Sequence, residues 1–371
     1  MLVTNPCIND ARVLKEATSL SKDGHELVVW AVSKNGIPTF QQKDGFSIKR
    51  ISKKMKENSL LGKLEHSPKF IYHSIKENAD VYHAHDLSTL LECYIASRWN
   101  RSKVIYDSHE LFIRNYNNKN NYMNIYYYLE HFLIKKVDSI ITVNDFIAEE
   151  LQQRYNLKKE IVVLMNCPAL EDENDDDNNC SNDDILKNKA AGKQIIIYQG
   201  VMQKGRGLIQ LVESMKYLDD NYFLLMVGDG PLKNKIEEVA KEEDIKNIYF
   251  TGLVNFTHLF EYTKMANLGV ILFENNSLNN YYASPNKLFE YIHCNLPILA
   301  PNYPFISSIV QKYNIGMLID EIEPKKIADA IKNILSDQDR YFFMKSNTDV
   351  AKKDLNWENE EKKLLELYRK E

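Results

Sequence analysis

The chain has 371 residues, of which 44% are hydrophobic and 27% charged, with a net charge of −5. Such a length suits two cores of ordinary size, and such a composition excludes a disordered or fibrous protein. The mild negative charge excludes a global pull toward nucleic acid.

The chain opens on a short strand that begins at Met1, brief enough to suggest a start a few residues upstream. A segment of helical period follows over 11–22. Short apolar, β-branched runs then alternate with helical segments. The runs are ELVVWAV (26–32), DVYHAH (80–85), KVIYDS (103–108), SIITVN (139–144) and IVVLMN (161–166), and the helices between them are expected over 87–98, 123–136 and 145–154. After residue 193 the alternation resumes with QIIIYQG (194–200), YFLLMVGDG (222–230), NIYFTG (247–252), LGVILF (268–273), LPILA (296–300) and GMLID (316–320). Strands apolar along their whole length and separated by helices predict parallel sheets covered on both faces.

Between the two series, residues 171–193 carry eight acids and little to bury, which predicts a linker or surface insertion. The expected division is therefore an α/β, Rossmann-like domain over 1–168, an acidic linker over 169–193 and a second Rossmann-like domain over 194–352. An amphipathic helix over 353–371, with Trp357, Leu364, Leu365 and Tyr368 near one face, is able to dock on either. Doubly wound sheets bind ligands outside the carboxyl ends of their strands, so the strand-to-helix loops are where function is sought. No apolar run reaches the roughly 18 residues of a membrane span, no signal-peptide core precedes 5–17, and Cys7, Cys93, Cys167, Cys180 and Cys294 form no close pair. A cytoplasmic protein is expected.

The loop YQGVMQKGRGL places Gly200, Gly205 and Gly207 between strand and helix, with Lys204 and Arg206 in the turn. It lacks the GK[ST] ending of a Walker sequence and the spacing of GxGxxG. A glycine turn with two cations before a helix N-terminus suits a phosphate, and it equally suits a turn with solvated lysines. Gly228 and Gly230 in VGDGPL repeat the geometry, as a ligand contact or as a tight turn. In SPNKLFEYIH the helix is expected to start with Ser284 as N-cap and Pro285 as its first residue, which leaves Glu290 unexplained. His83 and His85 share one face of a strand, yet no third or fourth metal ligand is evident. Asp175, Asp176 and Asp177 spell a DxD pair inside the acidic run, where solvation explains them. Neither metal nor cofactor is expected.

Taken together and in this order, YQG, KGRGL, VGDGPL, YFTGLV and SPNKLFEYIHCNLPILA resemble the C-terminal half of the family 4 retaining glycosyltransferases. NDARVLKEA, ADVYHAHDL and KVIYDSHELF are similar to that family's acceptor domain. The resemblance implies the GT-B architecture, two Rossmann-like domains facing across a cleft. It implies that Glu290 binds the ribose hydroxyls of a nucleotide sugar and that Ser284, Pro285, Asn286, Lys287 and Leu288 turn toward the pyrophosphate. Gly200, Gly205, Gly228, Gly230 and Thr251 complete the donor side, with Lys204 and Arg206 neutralising the diphosphate. It places His109 beside the transferred sugar, and Asn9, Asp10, Arg12 and Asp86 on the acceptor side. The chain departs from the family at Tyr282, where an acid is usual eight residues before Glu290.

The implied activity moves a sugar from a nucleoside diphosphate donor, UDP-linked in preference to GDP-mannose, to a glycan or polyprenyl-linked acceptor. The class of product is a surface polysaccharide or glycolipid. A nucleotide-sugar 2-epimerase and a catalytically silent relative are the alternatives. Residues 41–76 hold nine basic residues (Lys43, Lys49, Arg50, Lys53, Lys54, Lys56, Lys63, Lys69, Lys76) interleaved with Phe46, Ile48, Ile51, Leu60 and Leu61. These suggest either an anionic membrane surface or a solvated basic face. Tyr122, Tyr126, Tyr127, Tyr128 and Phe132 divide between core and a sugar or lipid interface.

Overall fold

A computed structural model of the chain describes residues 1–8, 10–52, 66–112, 121–170 and 184–371. Asn9, Lys53, Lys54, Lys56, Leu60, Leu61, Lys63 and the run Asp175–Asp177 lie outside them, as does the side chain of Tyr122. The chain forms two units, one of Met1–Met165 with Glu360–Glu371 and one of Asn166–Asn359.

In the first unit α1 (Ala11–Lys22) precedes β1 (Leu27–Val32), β2 (Phe40–Gln42) and β3 (Phe46–Ile51). Next come α2 (Ser67–Glu77), β4 (Val81–His85), α3 (Leu87–Asn100), β5 (Lys103–Ser108) and α4 (Asn121–Leu133). β6 (Ser139–Thr142), α5 (Asp145–Tyr155) and β7 (Ile161–Val163) complete the run. β1 pairs with β3 in parallel, β2 adds an antiparallel edge, and β4 to β7 follow one another in parallel. Leu2 bridges Trp30 of β1 and Ala84 of β4, so the opening segment is the strand that joins the two runs into one sheet. Counted from that segment and leaving out the antiparallel edge β2, the parallel strands run 3-2-1-4-5-6-7, and the direction of winding reverses between Leu2 and β4.

The second unit begins with α6 (Asp184–Ala190), which buries Leu186 and Ala190. The end of the expected acidic linker is therefore a packed helix: the acids end at Asp184, and leucine and alanine two to six residues on supply a face to bury. Then follow β8 (Gln194–Gln199), α7 (Leu208–Ser214), β9 (Tyr222–Val227), α8 (Lys233–Glu242), β10 (Ile248–Gly252), α9 (Phe256–Lys264) and β11 (Leu268–Val270). After these come α10 (Leu278–Tyr281), α11 (Asn286–His293), β12 (Ile298–Pro301), α12 (Pro304–Tyr313), β13 (Gly316–Ile319), α13 (Pro324–Ser336) and α14 (Gln338–Asp354). The six strands run β10-β9-β8-β11-β12-β13, all parallel, which is the 3-2-1-4-5-6 order of a dinucleotide-type fold. α15 (Trp357–Lys370) starts in this unit and returns the chain to the first.

Two sequence expectations change. Phe46, Ile48 and Ile51, which one of the two readings of this stretch turned toward a membrane surface, are buried on β3. Alternation with Ser47 and Lys49 is the period of a half-buried strand. Arg50 is also buried, donating to the carbonyls of Pro6, Pro38 and Cys7 and to Gln41 Oε1. In addition, α11 begins at Asn286 with Pro285 at the N-cap position, one residue later than expected. Proline there supplies no side-chain cap, and the Ser284 hydroxyl remains solvent-shielded without a hydrogen-bond partner among the described residues.

Gly228 shows why the loops after β8 and β9 need glycine. Its φ is +129°, and a Cβ would stand 2.2 Å from the carbonyl oxygen of Gly200. Around it, the Met202 amide donates to the Asp229 carbonyl and the Leu232 amide to the Met202 carbonyl. Replacing Gly228 with alanine is expected to cost about 1–3 kcal/mol from backbone strain alone. Gly24, at φ +94° with nothing within 4 Å of its Cβ position, lacks the clash. Urea unfolding should therefore show Gly228→Ala losing more stability than Gly24→Ala, and equal losses would refute the close-approach account.

Candidate functional site

Chemistry-bearing side chains collect at the carboxyl end of the switch point in each unit. In the second unit the loop after β8 carries Gly200 to Gly207. Arg206 is half-buried with its guanidinium 4.1 Å from the Phe273 ring centroid. Gly205, at φ +81°, lies against Asn276 and Asn280, and its carbonyl accepts from the Glu274 amide. Lys204, expected to share the anion with Arg206, is exposed in the turn.

The cation that does accompany Arg206 is Lys287, from the first turn of α11. Its ammonium sits over Tyr198 at 3.7 Å and 3.4 Å from the Cβ position of Gly200. Burial, and then the neighbouring Arg206, pull Lys287 down to about 7. Two cations drawn together in a partly desolvated place form an anion receptor.

One helical turn on, Glu290 is buried and accepts from Gln199 Nε2, while Gln199 Oε1 accepts from Thr263. That chain fixes the carboxylate's orientation. Sequence reasoning passed over Gln199 and Thr263; the lone polar residue at the end of the apolar run QIIIYQ was the signal. Leu288 has its side chain in the core and its amide on the Pro285 carbonyl, so neither group faces a ligand. Gly230 gives its amide to Asp229 Oδ1, and the Thr251 hydroxyl donates to the Gly252 carbonyl.

In the first unit, α1 and the ends of β4 and β5 build a buried polar cluster. Arg12, expected on the acceptor side, points inward instead. Nε and Nη2 each lie 2.7 Å from an Asp107 oxygen, and Nη1 donates to the Leu164 carbonyl. Spacing shows why: Val13, Ala17 and Leu20 hold α1 to the sheet, and Arg12 and Glu16 fall on that same buried side. Asp10 is the N-cap of α1 and accepts from the Val13 amide. Against the pull of burial, Arg12 and His109 hold Asp107 well below the usual carboxylate range.

His83 and His85 stack with centroids 4.3 Å apart. The sequence offered them no further partners; the fold supplies Glu16 and Asp107, and atoms of all four lie within 4.8 Å of one another. A metal that used Asp107 would compete with Arg12, which both its oxygens already serve, and with His109 Nε2 at 2.9 Å. Arg12 is the cluster's built-in cation. Burial drives Glu16 up to about 8 and holds His83 and His85 below their ordinary value.

His109 follows β5, and both its ring nitrogens meet carboxylates, Nε2 facing Asp107 and Nδ1 3.4 Å from Asp86. Asp86 also accepts the His109 amide. The backbone of Asp86 has φ +64° and ψ 165°, a region almost confined to glycine.

Among the described residues no helix is long and apolar enough to cross a membrane. The family model "Glycosyltransferase Family 4" matches residues 11–168, and "Glycosyl transferases group 1" matches 182–353. An uncharacterized glycosyltransferase of Methanocaldococcus jannaschii, MJ1069, is 21% identical over 291 residues, 76% of this chain and 72% of its own. Sucrose-phosphate synthase from Thermosynechococcus elongatus superposes with a TM-score of 0.78 at 17% identity, over 100% of this chain and 97% of its own. Anabaena HepE, solved with UDP-glucose, gives 0.77 at 13%, over 100% and 98%. Each half thus matches its own glycosyltransferase model and the whole chain shares the GT-B fold of solved glycosyltransferases, which supports a glycosyltransferase of the family 4 type.

Proposed function

We propose that the protein is a retaining, metal-independent transferase that takes a sugar from a nucleoside diphosphate donor, a UDP-sugar in preference to GDP-mannose. The carrying observation is Arg206 beside Lys287 at the carboxyl end of β8, next to the orphan Ser284 hydroxyl and the amide end of α11. A diphosphate answers each of these features, since it brings negative charge to two neighbouring cations and accepts hydrogen bonds from hydroxyl and amide. As the anomeric bond lengthens, charge builds on the leaving diphosphate, and donors aimed there stabilise the transition state more than the ground state. Glu290, oriented by Gln199, accepts the ribose hydroxyls; His109 serves the transferred sugar, and Asp10 and Asp86 lie toward the acceptor. The uridine preference is supported by HepE having been solved with UDP and UDP-glucose.

The acceptor we propose is a glycan or polyprenyl-linked sugar, in the building of a surface polysaccharide or glycolipid. Attachment to an anionic membrane face from the cytoplasmic side would fall to Lys43, Lys69 and Lys76 and to exposed Tyr128 and Phe132. Phe46, Ile48, Arg50 and Ile51 of β3 are excluded from it by burial.

Arg206→Ala is expected to lower kcat by about 10²-fold or more with the thermal transition unchanged. Near-normal turnover in the folded variant would remove Arg206 from the reaction. Glu290→Gln keeps the shape and the contact to Gln199 but halves the acceptor capacity. It should weaken UDP binding, seen by calorimetry, while leaving inorganic pyrophosphate binding in place; unchanged UDP affinity counts against the ribose role.

Lys287 gives a pH test. Its folded value of about 7 lies below the ordinary 10.5, so the empty protein loses stability as pH falls from 10.5 to about 7, with no further loss below that. A bound diphosphate reverses the shift. UDP binding at about pH 8 should take up roughly one proton, measured in buffers of different ionisation enthalpy, and Lys287→Met should abolish the uptake. Binding without uptake in the parent would separate Lys287 from the diphosphate.

A further inference from the structure

We propose that Asp107 is the positioning residue for His109: locked by Arg12, and aided by Asp86 at the other ring nitrogen, it holds the imidazole fixed and doubly protonated. His109 then acts as a cation and hydrogen-bond donor, not as a base.

The geometry leaves little choice of protonation state. A neutral imidazole has one N–H and one lone pair, and whichever nitrogen carried the lone pair would confront a carboxylate. His109 Nε2 is 2.9 Å from Asp107 Oδ2, and Nδ1 is 3.4 Å from Asp86 Oδ2. With both carboxylates ionised only the imidazolium satisfies both; burial raises Asp86, and His109 is the first group to oppose that rise. Asp107 cannot turn away, because Arg12 Nε and Nη2 hold its two oxygens at 2.7 Å each. Arg12 is anchored in turn by the Leu164 carbonyl at 2.8 Å. Asp86 reaches the ring through the strained backbone at φ +64°, and it grips the same residue a second time through the His109 amide at 3.2 Å.

The groups around the ring are consistent with a charge held there. From α1 come Arg12, paired to Asp107 and with Nε 3.0 Å from Glu16 Oε1, and Glu16, which burial raises to about 8 although Arg12 opposes it. From β4 come His83, whose Nδ1 lies 2.8 Å from the Tyr368 hydroxyl, and His85, whose Nδ1 is 3.4 Å from His109 Nε2; burial keeps both neutral. The cluster therefore presents Arg12 with Asp107 and His109 with Asp86 as two balanced ion pairs. Although burial opposes it, Asp107 and then Asp86 raise His109 to about 9.

The bearing of this on glycosyl transfer rests on the function proposed above; the charge state of the ring does not. Nitrogen-15 NMR of histidine-labelled full-length protein, with the His109 resonances assigned by their loss in His109→Gln, reads it directly. The expected result is a ring protonated on both nitrogens at neutral pH and titrating near 9 rather than near the ordinary value of about 6.5. Asp107→Asn and Asp86→Asn should each lower the midpoint, Asp107→Asn by more. The alkaline limb of kcat/KM for any transfer observed should move down with it, which a merely structural role would not produce. If Asp107→Asn fails to fold, the parent titration and Asp86→Asn still decide. A parent ring titrating near 6.5 overturns the proposal. So does one equivalent of cobalt(II) retained by the parent and lost in both His83→Gln and Asp107→Asn, since a metal held by Asp107 would draw it away from His109. A ring titrating near 9 in a protein that transfers no sugar would leave this inference standing and sink the proposed activity.

Discussion

A parallel sheet places the carboxyl ends of all its strands on one edge, and that constraint governs both units. Where the order of winding reverses, the helices on either side leave toward opposite faces, and the loops between them lose the cover that helices give elsewhere. In the second unit the reversal falls between β8 and β11, and the loop of Gly200 to Gly207 occupies it. In the first it falls between the opening segment at Leu2 and β4, and Arg12, His85 and Asp86 occupy it. The register that pairs His85 with Asp107 brings β5 into the same place. Neither site needed a special architecture; each uses the one location that a doubly wound sheet leaves open.

The two sites treat charge in opposite ways. The first unit encloses Arg12, Asp107, Asp86 and His109 in mutual pairs and keeps His83 and His85 neutral, so desolvation is offset within the chain. The second places Arg206 and Lys287 side by side and lets burial depress the lysine. A balanced cluster gains little from an added ion. Two neighbouring cations, one of them depressed by burial even with Glu290 nearby, gain more from an anion.

Much of this was legible in the sequence. Apolar β-branched runs such as QIIIYQ and YFLLMV gave the strands to within a few residues because strands buried on both faces have no competing pattern. The glycine turns and the SPNKLFE segment pointed to the second unit's site for the same reason: backbone geometry is local. What sequence missed was set by tertiary partners. Arg12 at a helix start looked like a surface ligand until Asp107, 95 residues on, turned it inward. Lys287 read as a turn residue, and only the path of β8 showed it next to Arg206. Phe46, Ile48 and Ile51 were misread because the basic residues around them masked a strand period of two.

Preorganisation links the remaining oddities. Asp86 holds a backbone conformation that costs about 1–3 kcal/mol, and Ser284 keeps a shielded hydroxyl without a partner; folding alone favours neither. Both lie beside charged groups whose orientation is already fixed, Asp86 on His109 and Ser284 at the turn that brings Lys287 to Tyr198. Such features persist where the surrounding packing over-determines them, here the sheet beneath His85 and Asp107 and the buried face of α11 at Leu288, Phe289 and Ile292. A well-packed scaffold can hold a few groups in positions that free chains would abandon, so that a reacting sugar or diphosphate meets donors already aimed and pays none of the cost of aiming them.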